Sequence, residues 1–104
     1  MPTPAPDVSV ALPGSVRRLL GEESFADDHA GIWRKIEAAP THRRGFGTQC
    51  SVELSRAEAS TLADYLWGVA SLEDSMTASE RGGSDTRSLW RVVRQVKAKL
   101  EEGQ

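Results

Sequence analysis

The sequence contains a single cysteine, Cys50, among 104 residues, so an intrachain disulfide is excluded. One unpaired thiol is typical of proteins from a reducing compartment. No apolar run approaches the roughly 20 residues that span a bilayer, and the first 14 residues lack the basic and long apolar regions of a secretory signal. We therefore expect a cytoplasmic protein that has no membrane partner.

Motifs that carry catalysis or bind cofactors are also missing. His29, His42 and Cys50 do not have the paired spacings that gather ligands around zinc. Gly82 and Gly83 precede a predicted helix, but no lysine follows them in the register of a phosphate-binding loop. No nucleophile elbow or dinucleotide fingerprint is present. We expect no catalytic residues, no cofactor and no metal ion, and therefore a protein that is not an enzyme.

The composition is that of an ordinary globular protein, with 38% hydrophobic and 27% charged residues. The net charge of -2 is small, but the charges are segregated along the chain. Residues 57–86 carry six acids against Arg81, whereas residues 87–104 carry five bases against two acids. A chain of this length forms one domain at most and has little room for a deep substrate cleft, which favours a binding or regulatory module.

Proline and glycine mark the boundaries of the domain. Four of the five prolines lie within the first 13 residues, so residues 1–7 are predicted to form a flexible tail. Residues 8–104 are predicted to form a single compact domain. Within it, residues 76–84 are rich in serine, threonine and glycine and have no apolar periodicity, which predicts a flexible loop.

Two segments alternate apolar and polar residues, as strands with one buried face do. They are residues 8–12, before Pro13 and Gly14, and the clearer segment 46–54. The second strand pairs either with residues 8–12 of the same chain or with its own copy across a dimer axis. Because an open strand edge invites pairing with another chain, we expect a homodimer.

Apolar spacing predicts a short helix near residues 16–20, a second at 25–39 and two longer ones. Ser55 and Glu58 form the capping-box pattern at the start of a helix that runs to about residue 74. Ser84 or Asp85 caps the last helix. The fold class is a helix-dominated small α+β domain with one or two short strands and a C-terminal pair of amphipathic helices. Its core is predicted to depend on Leu62, Leu66, Val69, Leu89, Val93 and Val96, with Tyr65 and Leu72 in the same stripe.

Trp67 is predicted to lie on the polar side of its helix, near Asp64 and Ser71, about 180° from the apolar stripe. A tryptophan in a polar surround is the kind of residue that anchors a binding partner. The open alternative is that the N-terminal segment of the same chain covers it. We expect Trp67, Asp64 and Ser71 to contact another protein, and the chain to act as a regulatory or accessory module.

The strand 46–54, the segment "VELSRAE" and the two helices that follow resemble the ribbon-helix-helix family of DNA-binding proteins. In that family two chains pair their strands into a ribbon that enters the major groove. The resemblance implies that Gln49, Ser51 and Glu53 face the bases, with Cys50, Val52 and Leu54 in the shared core. It also implies that His42, Arg43 and Arg44 form an arm on the phosphates. A dimeric DNA-binding regulator is thus the alternative function, and its candidate contacts are Arg43, Arg44, Gln49, Ser51 and the basic stripe Arg87, Arg91 and Arg94.

Overall fold

Alternating apolar and polar residues produce two of the three strands among the described residues, β1 and β3. The computed structural model describes residues 8–22, 24–44, 47–76 and 86–102. Within them, β1 spans Val8–Pro13, β2 spans Thr41–Arg44 and β3 spans Gly47–Leu54. The strands form an antiparallel sheet in the order β1-β3-β2. Val8 lies opposite Leu54 and Leu12 lies opposite Cys50, so the inward residues of β1 and β3 share one buried face.

The position of β3 answers the pairing question that the sequence left open. β3 pairs with β1 along one edge and with β2 along the other, both within the chain. The predicted pairing with residues 8–12 is therefore confirmed. The pairing of β3 with a second copy, on which the expected dimer rested, is wrong because β1 occupies one edge over 49–54 and β2 occupies the other over 47–50. β2 was not predicted, since the polar sequence of Thr41–Arg44 has no apolar alternation and becomes a strand through its backbone pairing.

The described residues contain five helices. They are α1 (Gly14–Glu22), α2 (Phe25–Asp28), α3 (Ala30–Ala38), α4 (Arg56–Asp74) and α5 (Thr86–Glu102). The chain is a small α+β fold with a C-terminal helix pair, as predicted. The helix predicted at 25–39 is broken at His29, whose backbone lies at φ -129° and ψ 53°. The His29 ring packs against Phe25, with 5.0 Å between ring centroids.

The capping box at the start of α4 is confirmed. The Ser55 hydroxyl accepts a hydrogen bond from the Glu58 amide at 3.1 Å, and a Glu58 carboxylate oxygen accepts one from the Ser55 amide at 2.9 Å. The same carboxylate forms an ion pair with Lys35 of α3 at 2.6 Å. The Lys35 bond and the Ser55 amide together lower the pKa of Glu58. Glu58 thus fixes the start of α4 against α3.

The hydrophobic core lies between the inner face of the sheet and the helices. Its buried members are Val8, Val10, Leu12, Val16, Leu20, Phe25, Ile32, Ile36, Cys50, Val52, Leu54, Ala59, Leu62, Ala63, Leu66, Ala70, Leu89, Val92, Val93 and Val96. Five of the six predicted core residues are among them, and Val69 is half-buried.

The buried face of α4 is rotated from the predicted stripe. Leu72, expected in the core, is 60% exposed, whereas Ala59, Ala63 and Ala70 are buried. α4 packs mainly against α5. Short alanine side chains allow a neighbouring helix to approach closely, so the helix buries its alanine side and turns Leu72 outward.

Two segments predicted from the sequence lie wholly or mostly outside the described residues. The predicted tail at 1–7 lies outside the described residues, and so does the predicted loop at 76–84 apart from Met76. Among the described residues, no helix combines the length and the apolar character that crossing a membrane requires.

Candidate functional site

One flank of α5 is fixed against the outer edge of β1. The Gln95 side-chain amide accepts a hydrogen bond from the Ala11 amide at 2.8 Å and donates one to the Ala11 carbonyl at 3.1 Å. One turn further along α5, the Lys99 ammonium donates to the Ser9 carbonyl. These bonds hold α5 in a defined rotation about its axis and turn its other flank away from the sheet.

That other flank of α5 and the adjacent side of α4 enclose an open groove of about 700 Å³. Its residues on α5 recur at helical spacing, so that they form one continuous wall along about three turns. We call it the tryptophan groove, and its lining is Trp67 and Asp74 from α4 with Trp90, Val93, Arg94, Lys97, Ala98 and Glu101 from α5.

Trp67 is the most exposed aromatic residue of the groove. It is 52% exposed, which fits the predicted outward position. It lies beside the buried face of α4, about 100° from Leu66, and not on the opposite side of the helix as predicted. The reason is the rotation of α4 toward its alanines, which brings Trp67 to the border with α5. Within the described part of the chain, the Trp67 indole N–H has no hydrogen-bond partner.

Trp90 forms the facing aromatic wall. Its ring is half-buried, and its indole N–H donates a hydrogen bond to an Asp74 carboxylate oxygen at 2.7 Å. This bond joins the C-terminal end of α4 to the N-terminal half of α5 and fixes the orientation of the ring. The groove therefore has one aromatic side chain that is held and one, Trp67, that is not.

The two sides of the groove differ in charge. On the α5 side, Arg94 and Lys97 are exposed and outnumber the acid Glu101, and neither base forms an ion pair with an acid of the described residues. The α4 side carries Asp74 in the groove and the exposed Asp64 nearby on the same helix. A ligand in the groove would therefore meet a basic side and an acidic side, with indole rings between them.

The groove includes only part of the site predicted from the sequence. Asp64 is exposed and Ser71 is half-buried, and neither of them lines the groove with Trp67. Asp74 and Trp90 take their place, and sequence reasoning missed both. The signal for Trp90 is its position between the core residue Leu89 and the basic stripe, where an aromatic side chain lies at the edge of the buried face.

The candidate nucleic-acid contacts lie partly on the paired strands β2 and β3 and partly on α5. Arg43 is exposed on β2, and Gln49 and Ser51 are half-buried on β3. Arg44 closes the pairing of β2 opposite Gly47. Arg87, Arg91 and Arg94 are exposed on α5, which packs on β1, the strand at the other edge of the sheet. The structure does not gather these residues into one surface.

The chemistry of Cys50 is that of a buried thiol. Cys50 is 1% exposed, and its sulfur donates a hydrogen bond to the Ile36 carbonyl at 3.6 Å. Burial raises the pKa of the thiol, and the adjacent Arg17 guanidinium offsets part of the rise. Such a thiol is a poor nucleophile. In the described ranges, no three histidine, cysteine or acidic side chains lie where they could hold a metal ion.

Comparisons of the chain with models of protein families, with curated proteins and with solved structures find no match.

Proposed function

We propose that this protein is a small non-enzymatic regulatory or accessory module that binds an amphipathic helix of another protein in the tryptophan groove. The observation that carries the proposal is Trp67, a half-exposed indole beside the fixed ring of Trp90. Tryptophan is enriched among the residues that dominate binding energy at protein interfaces. We place the module in the cytoplasm, the compartment that its single cysteine favours.

The shape of the groove supports a helix as the occupant. Its wall on α5 extends from Trp90 to Glu101, and helix geometry gives this stretch a length of about 16 Å, or about three turns. Helices bind such grooves through apolar side chains at positions i, i+4 and i+7. A partner helix would place these anchors on Trp67, Val93 and Trp90.

The charges of the groove specify the partner further. Arg94 and Lys97 lack acidic partners within the described residues and favour acids along one flank of the bound helix. Asp74, the acid that lines the groove on the α4 side, favours a base on the opposite flank. The partner segment is therefore an amphipathic helix with acids on one border and at least one base on the other.

The homodimer expected from the sequence remains a prediction. Because each edge of β3 already pairs with a strand of the same chain, a second copy would use another surface, and the tryptophan groove is an exposed aromatic surface among the described residues. A second copy of the chain is thus one competitor, and it would occupy the groove. Duplex DNA, bound to the basic face of α5, is the other competing partner.

The test uses capture from a lysate of the native host, with the full chain as bait and mass spectrometry as readout. We compare Trp67→Ala with the matched control Leu72→Ala, since both residues are exposed on α4 and Leu72 does not line the groove. The proposal requires capture that Trp67→Ala and Lys97→Glu abolish and that Leu72→Ala retains. Hydrogen exchange of the purified complex must also protect a helical segment of the captured protein.

Three results contradict the proposal. Capture that is unchanged by Trp67→Ala places the interface elsewhere. Light scattering that shows a dimer which Trp67→Ala converts to a monomer makes a second copy the occupant. Sequence-selective, salt-sensitive binding to DNA favours the ribbon-helix-helix alternative.

A further inference from the structure

A second cavity shares no lining residue with the tryptophan groove. It has a volume of about 430 Å³ and lies between α1, α3 and the strands β2 and β3. Arg17 and Arg18 reach it from α1, Trp33 from α3, Thr41 from β2 and Thr48 from β3. We call it the arginine pocket.

Two glycines of α1 form part of the pocket wall. A Cβ atom at Gly14 would lie 2.5 Å from the Thr48 hydroxyl, and one at Gly21 would lie 2.8 Å from the Trp33 ring. Real Cβ atoms do not approach other atoms so closely. Glycine at these positions therefore allows Thr48 and Trp33 to lie directly against α1, where they close two sides of the cavity.

Arg17 has incomplete hydrogen bonding. Its Nε–H is buried and has no hydrogen-bond partner among the described residues. Its guanidinium donates one bond to a backbone oxygen, from Nη2 to the Glu37 carbonyl at 3.3 Å. A guanidinium has five N–H donors in a fixed plane, and burying a donor without a partner is unfavourable. An unsatisfied buried donor requires an explanation, and a bound water or ion is one of those that apply.

The positive charge in the pocket is not neutralised by its neighbours. Neither Arg17 nor Arg18 forms an ion pair with an acid of the described residues, although Glu22 also lines the pocket. Cys50 also lines the pocket, where burial raises the pKa of its thiol and the neighbouring Arg17 offsets part of the rise. The hydroxyls of Thr41 and Thr48 add further donors at the rim.

We propose that the arginine pocket binds a small organic anion whose carboxylate or phosphate group pairs with the Arg17 guanidinium. Arg18 and the threonine hydroxyls hold the remaining oxygens of this group, and the apolar body of the ligand lies along Trp33. The volume is within the range of sites for small molecules. Arginine is suited to carboxylate and phosphate because its planar fork donates two parallel hydrogen bonds to them.

The test is a titration of the full chain followed by NMR of nitrogen-bound protons. The probes are benzoate, phenyl phosphate and inorganic phosphate, with benzylamine as a cation that carries the same ring. We expect benzoate or phenyl phosphate to shift the Arg17 Nε–H, the Trp33 indole N–H and the Thr48 amide with one common saturation curve. Comparison of the two separates carboxylate from phosphate preference, and inorganic phosphate reports how much the ring contributes.

The variants locate the bound anion. Arg17→Gln should weaken the binding of the preferred probe by at least about tenfold. Arg34→Gln is the matched control, because Arg34 is exposed on α3 and does not line the pocket. The affinity of Arg34→Gln for the preferred probe should equal that of the unchanged chain. Thr48→Val, which removes a hydroxyl and keeps the shape of the side chain, should weaken binding without loss of the folded spectrum.

Several results would overturn the proposal. They are the absence of saturable shifts with every anion, equal binding of benzylamine and benzoate, and equal affinity in Arg17→Gln. Arg17 also donates a hydrogen bond to the Glu37 carbonyl, so its replacement can prevent folding. If Arg17→Gln does not fold, the affinities of Arg18→Gln and Thr48→Val for the preferred probe decide whether the pocket binds the anion. Unchanged affinity in both of these variants contradicts the site.

Discussion

The side chain of Gln95 hydrogen-bonds the backbone of Ala11 in β1 in the way that a neighbouring strand would. Its amide oxygen and nitrogen bond the Ala11 N–H at 2.8 Å and the Ala11 C=O at 3.1 Å, as a backbone partner would. An unpaired outer edge of a sheet is a site for aggregation. α5 therefore protects the edge of β1 while its other flank carries the tryptophan groove.

We predict that Gln95→Leu destabilises the fold by about 1 to 3 kcal/mol, because it leaves the Ala11 donor and acceptor without partners. Urea denaturation measures the loss, and light scattering detects association through the opened edge. Gln49→Leu is the control, since Gln49 is half-buried on β3 and its side chain makes no hydrogen bond within the described residues. Equal stability of the two variants would show that the Gln95 bonds contribute nothing.

Two leucines of α4 provide a matched test of how this helix packs. Leu66 is fully buried and Leu72 is 60% exposed. Leu66→Ala should therefore cost about 2 to 5 kcal/mol of unfolding free energy, whereas Leu72→Ala should cost less than about 0.5 kcal/mol. Urea melts of both variants measure the difference. A larger loss in Leu72→Ala would mean that α4 is rotated as the sequence pattern predicted.

Local patterns predicted most of the fold because each depends on residues close in the chain. The alternation in 47–54, the Ser55 and Glu58 capping box and the apolar stripe of α5 all lie where they were expected. The strand β2 was missed because its polar sequence has no apolar alternation and becomes a strand through backbone pairing with β3, and the apolar spacing of 25–39 gave no signal for the break at His29.

The candidate site was predicted only in part for a similar reason. The polar residues around Trp67 indicated that it is exposed, and it is. Which residues lie beside it depends on the rotation of α4 against α5, and buried alanines set that rotation. A stripe read from large apolar side chains places Leu72 in the core and gives little weight to alanine. The resulting rotation of α4 was wrong, so Trp90 and Asp74 were not predicted to lie beside Trp67.

The ion pair at the start of α4 should make stability depend on pH. Lys35 and the Ser55 amide lower the pKa of Glu58 in the folded chain below its unfolded value. The resulting stabilisation is present above the unfolded pKa and is lost as the pH falls through the folded pKa. Glu58→Gln should therefore be less stable than the unchanged chain at neutral pH, and the difference should shrink in acid. Urea midpoints over a pH series test this, with the exposed Glu53→Gln as control. A difference that stays constant with pH would contradict it.

We predict that the protein does not bind duplex DNA with useful affinity. Phosphate binding depends on basic residues that act together, and Arg43 on β2 lies at the opposite edge of the sheet from the strand that contacts α5. Mobility-shift titrations at low salt should show no sequence-selective complex. A salt-sensitive complex that Arg43→Ala and Arg44→Ala abolish would reverse this prediction.

The hydrogen bond between Trp90 and Asp74 should matter more for binding than for stability. Asp74→Ala removes the acceptor that fixes the Trp90 ring, and the loss of one partly exposed hydrogen bond costs about 0.5 to 1.5 kcal/mol. The freed ring should sample several orientations, so the affinity for the partner helix should fall because one wall of the groove is no longer preorganised. The Trp90 indole resonance should shift or broaden, while the remaining backbone spectrum is retained.

Asp74→Asn, which keeps an acceptor oxygen at the same place, is the matched control and should retain most of the affinity. Equal affinity in Asp74→Ala and the unchanged chain would mean that the groove does not need a fixed Trp90, and that Trp67 alone provides the aromatic contact.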